Sequence, residues 1–74
     1  MIRTIVTEAS FAARIQHQGE NPAVDAFIEE VLAVCKKHGM SIGHEDGHGG
    51  FEIERYMDGN VEWLRGAADW TNCV

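Results

Sequence analysis

Residues 40–56 read MSIGHEDGHGGFEIERY, and they change the hydrophobic period of the chain from 3.6 residues to 2. Two sets of positions alternate, first Met40, Ile42 and His44 with Ser41, Gly43 and Glu45, and then Phe51, Ile53 and Arg55 with Glu52, Glu54 and Tyr56. A run of glycines and one histidine at 47–50 separates the two segments, and glycine adopts a positive φ without steric cost. The stretch therefore predicts an antiparallel β-hairpin.

The register of this hairpin follows from where its turn is centred. With the turn on His48-Gly49, the expected pairs are Asp46 with Phe51, His44 with Ile53 and Ile42 with Arg55. A shift of one residue would reverse which side chains are buried.

The segment before the hairpin, residues 21–39, has the pattern of an amphipathic helix. Its apolar residues recur at three- and four-residue intervals: Val24, Phe27, Ile28, Val31, Leu32 and Cys35. Asn21 is suited to cap the first free amides, and Pro22 stands where a missing N–H is harmless. Gly39 is suited to end the helix in the left-handed conformation.

The remaining segments predict three further elements. Residues 2–6 predict a short strand, Thr7 or Ser10 is expected to cap a helix that ends before Gly19, and residues 58–60 are expected to begin a last helix. The resulting order is βααββα. We therefore predict a single α+β domain over 1–74, a two-layer structure with helices on one face of an antiparallel sheet that has the hairpin at its centre. The expected core residues are Phe27, Phe51, Ile53 and Trp63.

The charge and the apolar runs limit the function classes. The net charge is −6, and residues 38–74 hold seven acidic and two basic side chains. This balance disfavours direct binding to nucleic acid, which depends on lysine and arginine. The longest apolar run is 31–35, too short to span a bilayer, and residues 1–20 lack a secretory signal. We therefore expect a cytoplasmic protein in which Cys35 and Cys73 are free thiols.

One string resembles a zinc-protease signature. His44-Glu45-Asp46-Gly47-His48 matches H-E-x-x-H, in which two imidazoles one helical turn apart bind zinc and the glutamate activates water. Four glycines between 43 and 50 cost roughly 3–4 kcal/mol of helix propensity relative to alanine, so a helix is not expected there. No cofactor is expected, and a metal-dependent hydrolase using His44 and His48 is kept as the alternative.

A wider set of residues has zinc-compatible spacing. Its members are Cys35, His38, His44 and His48. A structural ion at such a site would join the end of the helix to the hairpin and stabilise a small domain. Each of these residues also has an ordinary interpretation, since Cys35 belongs to the apolar stripe and His38 suits a helix C-terminus. We therefore keep a zinc-binding domain as an alternative.

Acidic and aromatic residues predict a protein-binding surface. The candidate binding residues are Glu45, Asp46, Glu52, Glu54, Tyr56, Trp63 and Trp70. An aromatic patch in an acidic domain is typical of a surface that binds another protein. A further alternative is acidic mimicry of nucleic acid by Glu45, Asp46, Glu52, Glu54, Asp58 and Glu62. The oligomeric state is open, although a domain of this size gains stability by burying apolar surface in a homodimer.

Several short motifs lie between residues 31 and 67: CKKHG at 35–39, SI at 41–42, HEDGHG at 44–49, Phe51, and EWL at 62–64. With these motifs, this half of the chain resembles small proteins encoded by tailed bacteriophages and prophages. The resemblance implies a phage-related origin and supplies no catalytic roles. It also implies an accessory protein that binds a host or phage protein in the cytosol of the host cell, including as an inhibitor of a host defence factor. We therefore predict a non-enzymatic protein-binding module.

Overall fold

The computed structural model describes residues 1–45, 47 and 49–73, and it has an α+β fold as the sequence predicts. The elements are β1 (Arg3–Ile5), α1 (Glu8–Ala13), β2 (His17–Gly19), α2 (Pro22–His38), β3 (Met40–His44), β4 (Phe51–Arg55) and α3 (Asp58–Arg65). The strands form two antiparallel pairs, β1 with β2 and β3 with β4, instead of one sheet. The order is thus βαβαββα, and the predicted order βααββα was wrong because it lacked β2.

β2 exists because β1 supplies its hydrogen-bonding partner. Arg3 lies opposite Gly19 and Ile5 opposite His17, although the sequence of β2 has no β-branched residue to indicate a strand. The two strands can meet because α1 is only six residues long and ends at Arg14 with a φ of 57°. Thr7 caps α1, as one of the two predicted caps.

α2 begins and ends where the sequence indicates. The side-chain oxygen of Asn21 accepts a hydrogen bond from the amide of Ala23 at 3.1 Å, and Pro22 occupies the first helical position. Gly39 ends the helix with a φ of 67°, a conformation that favours glycine. In the part of the chain that the structure describes, no helix combines the length and the apolar character needed to cross a membrane.

The hairpin forms as predicted, but its register was wrong by two residues. His44 pairs with Phe51, Ile42 with Ile53 and Met40 with Arg55. The amide of Glu45 donates to the carbonyl oxygen of Gly50 at 2.9 Å, which places four residues in the loop instead of two. Asp46 and His48 lie outside the described residues. Because the shift is an even number of residues, the faces on which the side chains lie are unchanged.

The core is smaller than predicted. Only Ile28, Leu32 and Val61 are buried apolar residues among those described, with Val24 and Leu64 packed partly against them. The predicted core residues Phe27, Phe51, Ile53 and Trp63 are 43–75% exposed, so that prediction was wrong. The reason is that β3 contacts both α2 and α3 while β4 is the outer strand, which leaves the apolar side chains of β4 uncovered.

We predict that Leu32→Ala lowers the free energy of unfolding by about 2–5 kcal/mol, because it leaves a cavity between α2 and α3. Urea denaturation at a fixed protein concentration measures this change. The matched control is Ile15→Ala, at a largely exposed apolar residue, which should change stability by less than about 1 kcal/mol. Equal losses for the two variants would contradict the assignment of the core.

Candidate functional site

The structure divides the predicted binding residues between two surfaces. Trp63 on α3 lies beside the hairpin, with its ring centroid 5.4 Å from that of His44 and 6.5 Å from that of Phe51. Trp70 follows α3 and contacts Phe11 instead, at 5.8 Å between ring centroids. The two tryptophans therefore do not form one aromatic patch. Tyr56 directly follows β4 and is about one-third exposed.

Two of the candidate acidic residues are held by neighbouring side chains. Glu54 accepts a hydrogen bond from the side-chain nitrogen of Asn60 at 3.4 Å, and its carboxylate lies so close to Gly43 that a Cβ there would collide with it. Glu62 pairs with Arg65 at 3.5 Å. Glu52 and Asp58 are exposed, Glu45 is half-buried, and Asp46 lies outside the described residues. Some of these acidic side chains therefore make contacts within the fold, and others are exposed to solvent.

The proposed metal ligands that the structure describes lie on two different elements, Cys35 and His38 on α2 and His44 on β3. Cys35 and His38 line an open groove of about 240 Å³ between α2 and the hairpin, whereas His44 is the last residue of β3 and lies beside Trp63. Among residues 1–45, 47 and 49–73 no group of three metal-ligating side chains comes together. His48, the other histidine of the H-E-x-x-H string, lies outside that set. Both Cys35 and Cys73 are free thiols.

A larger groove lies between α2 and the segment that follows α3. Its volume is about 390 Å³. Val24, Ile28 and Leu64 from the two helices line it together with residues 67–71. Phe27 and Trp70 also line the groove and are more than half exposed, so the groove opens to solvent beside two aromatic rings. We name it the α2/C-terminal groove.

Asp69 holds in place residues 67–71, which form one wall of this groove. It is 2% exposed, and its carboxylate accepts hydrogen bonds from the backbone amide of Thr71 at 2.8 Å, from the Thr71 hydroxyl at 2.6 Å and from the Asn21 side chain at 3.0 Å. The hydrogen bonds from Thr71, and then that from Asn21, hold the pKa of Asp69 below its ordinary value. The wall is therefore attached to the residue that caps α2.

The backbone of Asp69 also joins the N-terminal strand. Its amide donates to the carbonyl oxygen of Thr4 at 2.8 Å, and its carbonyl oxygen accepts from the amide of Val6 at 2.8 Å. These two bonds form a parallel bridge between Ile5 and Asp69. An isolated β-bridge thus holds Asp69 beside a residue of β1 that is 64 positions away along the chain.

Arg3 completes the support of the wall. One terminal nitrogen of its buried guanidinium donates to the carbonyl oxygens of Arg65 at 3.0 Å and Ala67 at 2.9 Å. The other donates to the Asp25 carboxylate at 2.7 Å. The hydrogen bond from Arg3 lowers the pKa of Asp25. One side chain therefore satisfies two carbonyl groups at the end of α3 and a charge on α2.

Sequence reasoning identified Trp70 but missed the other residues that build this groove. Arg3 stands in a strand-like run, and nothing in its neighbours indicates that its charge is buried. Asp69-Trp70-Thr71 does contain a usable signal, because an aspartate two residues before a backbone amide commonly accepts its hydrogen bond in a turn. Phe27 was assigned to the core because its spacing on α2 does not tell a buried residue from one at a groove.

Comparisons of the chain with protein-family models, with curated proteins and with solved structures gave no match. The geometry and chemistry of the groove are therefore what indicate a function.

We predict that Arg3→Met lowers the free energy of unfolding by about 2–4 kcal/mol, because two carbonyl groups and the Asp25 carboxylate lose their buried donor. Urea denaturation compares it with Arg14→Met, a change at an exposed arginine that should cost less than about 1 kcal/mol. Equal losses in the free energy of unfolding for the two variants would contradict the role of Arg3 in holding the wall of the groove.

A second prediction concerns pH. Because the folded state lowers the pKa of Asp69 below 3.8, the ordinary value, this carboxylate stabilises the fold at neutral pH. The stabilisation by this carboxylate is lost as the pH falls below 3.8 and then through the lowered pKa, because the group becomes protonated. Asp69→Asn should therefore be less stable than the wild type at neutral pH, and the difference should narrow in acid.

Urea denaturation from about pH 7 to about pH 2, the range that contains the carboxyl titrations, measures the difference. Glu30→Gln removes an exposed carboxyl group on α2 and serves as the control. At neutral pH this change should alter the free energy of unfolding by less than about 0.5 kcal/mol. A pH-independent difference in stability between Asp69→Asn and the wild type would show that the Asp69 carboxylate is not held in this way.

Proposed function

We propose that the chain is a non-enzymatic protein-binding module whose α2/C-terminal groove receives an apolar side chain of a partner protein. The observation that supports this proposal is the groove itself, about 390 Å³ in volume, with Phe27 and Trp70 exposed beside it. Bulky aromatic residues beside an apolar depression are typical of the energetic centre of a protein interface.

The hydrogen bonds that hold the wall of the groove favour binding. Because Asp69 and Arg3 hold the wall through hydrogen bonds already present in the free chain, little conformational entropy remains to be lost when a partner enters. Removing the exposed surface of Phe27 and Trp70 from water supplies the favourable free energy. The groove is thus a preorganised binding site that needs no catalytic group.

The charge of the chain limits the chemistry of the partner. A net charge of −6 repels acidic surfaces and attracts neutral or basic ones. We therefore expect a partner that presents a bulky apolar side chain on a neutral or basic segment. The resemblance to small phage proteins points to a host or phage protein as that partner, including a host defence factor that such binding would inhibit.

Selection of peptides from a displayed random library against the purified wild-type chain tests this proposal. Enriched peptides should share one bulky apolar residue and should not be acidic. They should bind with dissociation constants in the micromolar range, which corresponds to a binding free energy of about −8 kcal/mol. Trp70→Ala and Phe27→Ala should each weaken binding at least about tenfold, because each removes aromatic contact area.

Trp63→Ala is the matched control, since it removes a tryptophan from the hairpin surface instead of the groove. It should leave peptide affinity unchanged. Enriched peptides that bind Trp70→Ala and Phe27→Ala as tightly as the wild type would refute the groove as the binding site, and so would the absence of any enriched apolar peptide.

A further inference from the structure

One face of the β3–β4 hairpin is mostly apolar and, apart from the half-buried Ile42 and the neighbourhood of Trp63, open to solvent. Antiparallel pairing places Met40, Ile42, Phe51 and Ile53 on the same face, and we name this set the hairpin face. Phe51 and Ile53 are at least 70% exposed, and Met40 is about half exposed. Val34 of α2, which lines the same shallow groove as Met40 and Ile42, is also exposed and extends the face.

The accessible surface of the chain is larger than a monomer of its length should have. The chain exposes 5536 Å², whereas a folded monomer of 74 residues is expected to expose about 4,500 Å². Its radius of gyration is 13.8 Å, against about 11 Å for a globular chain of this length. The excess area is about 1,000 Å², which is close to the share of about 800 Å² that each partner buries in a standard interface.

We propose that a second copy of this chain covers the hairpin face, with the two hairpins packed face to face about a two-fold axis. A two-fold axis brings the same patch of both copies together, so an apolar patch meets its own equivalent. The small core of Ile28, Leu32 and Val61 gives a reason for such an association, because small domains gain stability by oligomerisation.

The charges at the two ends of the hairpin determine the direction of packing. At the Met40 end, the last turn of α2 contains Lys36, Lys37 and His38, and Arg55 of β4 lies opposite Met40. At the loop end, Glu45 directly follows His44, which pairs with Phe51. A two-fold axis that crosses the strands at right angles places the basic end of one copy over the acidic end of the other.

Face-to-face packing is favoured over pairing of the two β4 edges. Glu52 and Glu54 alternate with the apolar residues of β4 and lie on its opposite face. An antiparallel register centred on Glu52, Ile53 or Glu54 keeps Ile53 of both copies on one face but sets a glutamate of one copy against a glutamate of the other. Like charges directly opposite each other destabilise a strand pair. Packing through the hairpin face leaves these glutamates outside the interface.

This inference does not depend on the proposed function. Among the described residues, those that line the α2/C-terminal groove are all outside the hairpin face. Peptide binding can therefore fail while dimerisation succeeds, and the reverse.

Sedimentation equilibrium of the purified full chain between roughly 1 and 100 µM should show an apparent mass that rises with concentration toward twice the mass of the chain. Ile53→Glu should raise the dimer dissociation constant at least about tenfold, because it places a charge in the centre of the apolar face. Ile53 is exposed, and circular dichroism should show that the variant keeps its fold. Glu52→Gln changes the opposite face of the same strand and should remain dimeric.

Charge reversal and salt test the direction of packing. Arg55→Glu should weaken dimerisation roughly twofold to tenfold at low salt, with a smaller effect at high salt, because exposed ion pairs are weak and screened. An unchanged dissociation constant would overturn the antiparallel arrangement of the two copies.

Amide hydrogen exchange tests the packing mode. Because hydrogen-bonded pairs alternate along an antiparallel ladder, the amides of Phe51, Ile53 and Arg55 point away from β3. They should exchange at the same rate in the dimer of the wild type and in monomeric Ile53→Glu, apart from residue 53 itself. Protection of Phe51 and Arg55 in the dimer would show edge pairing and overturn the proposal, as would a monomeric wild-type chain throughout the concentration range.

Discussion

Arg3 donates hydrogen bonds from one buried guanidinium to two carbonyl groups at the end of α3 and to Asp25 on α2, which joins three distant parts of the chain. Asp69 makes the complementary connection, since its backbone pairs with β1 and its carboxylate binds Asn21 and Thr71. A buried charge is tolerated only where it is paired and hydrogen-bonded. These contacts therefore restrict the C-terminal segment to one position, and that position creates the α2/C-terminal groove.

The small apolar core explains why polar contacts have this importance. Among the described residues, three buried apolar side chains join α2 and α3 to each other, and this cluster includes no residue of β1 or of the described segment after α3. Arg3 and Asp69 hold those parts instead. The same shortage of burial leaves large apolar residues on the surface, beside the groove at Phe27 and Trp70 and on the hairpin at Phe51 and Ile53. Exposed apolar patches are common at protein–protein interfaces, and the two binding proposals concern these two separate patches.

The elements that the sequence predicted correctly are those with local physical causes. Asn21 and Gly39 satisfy the backbone groups at the two ends of α2 by contacts within a few residues, so the sequence predicts both boundaries. The alternation and the glycines predict the hairpin in the same way. The predicted register was wrong because a backbone hydrogen bond from Glu45 to Gly50 sets the length of the loop. The run of glycines predicts a turn but does not predict which residues make that bond. β2 was missed because its strand conformation comes from pairing with β1.

The sequence by itself determined the fold class, the position of α2 and the presence of the hairpin, because capping, period and glycine conformations act over a few residues. Only the tertiary structure decided which apolar residues are buried and where the groove lies. Phe27 and Ile28 are neighbours on one apolar stripe, yet α3 covers only Ile28. Likewise, the charge of Arg3 is buried because its partners Asp25, Arg65 and Ala67, 22 to 64 residues away, surround it in the folded chain. Such contacts leave no pattern in the neighbouring sequence, since they depend on how whole elements pack.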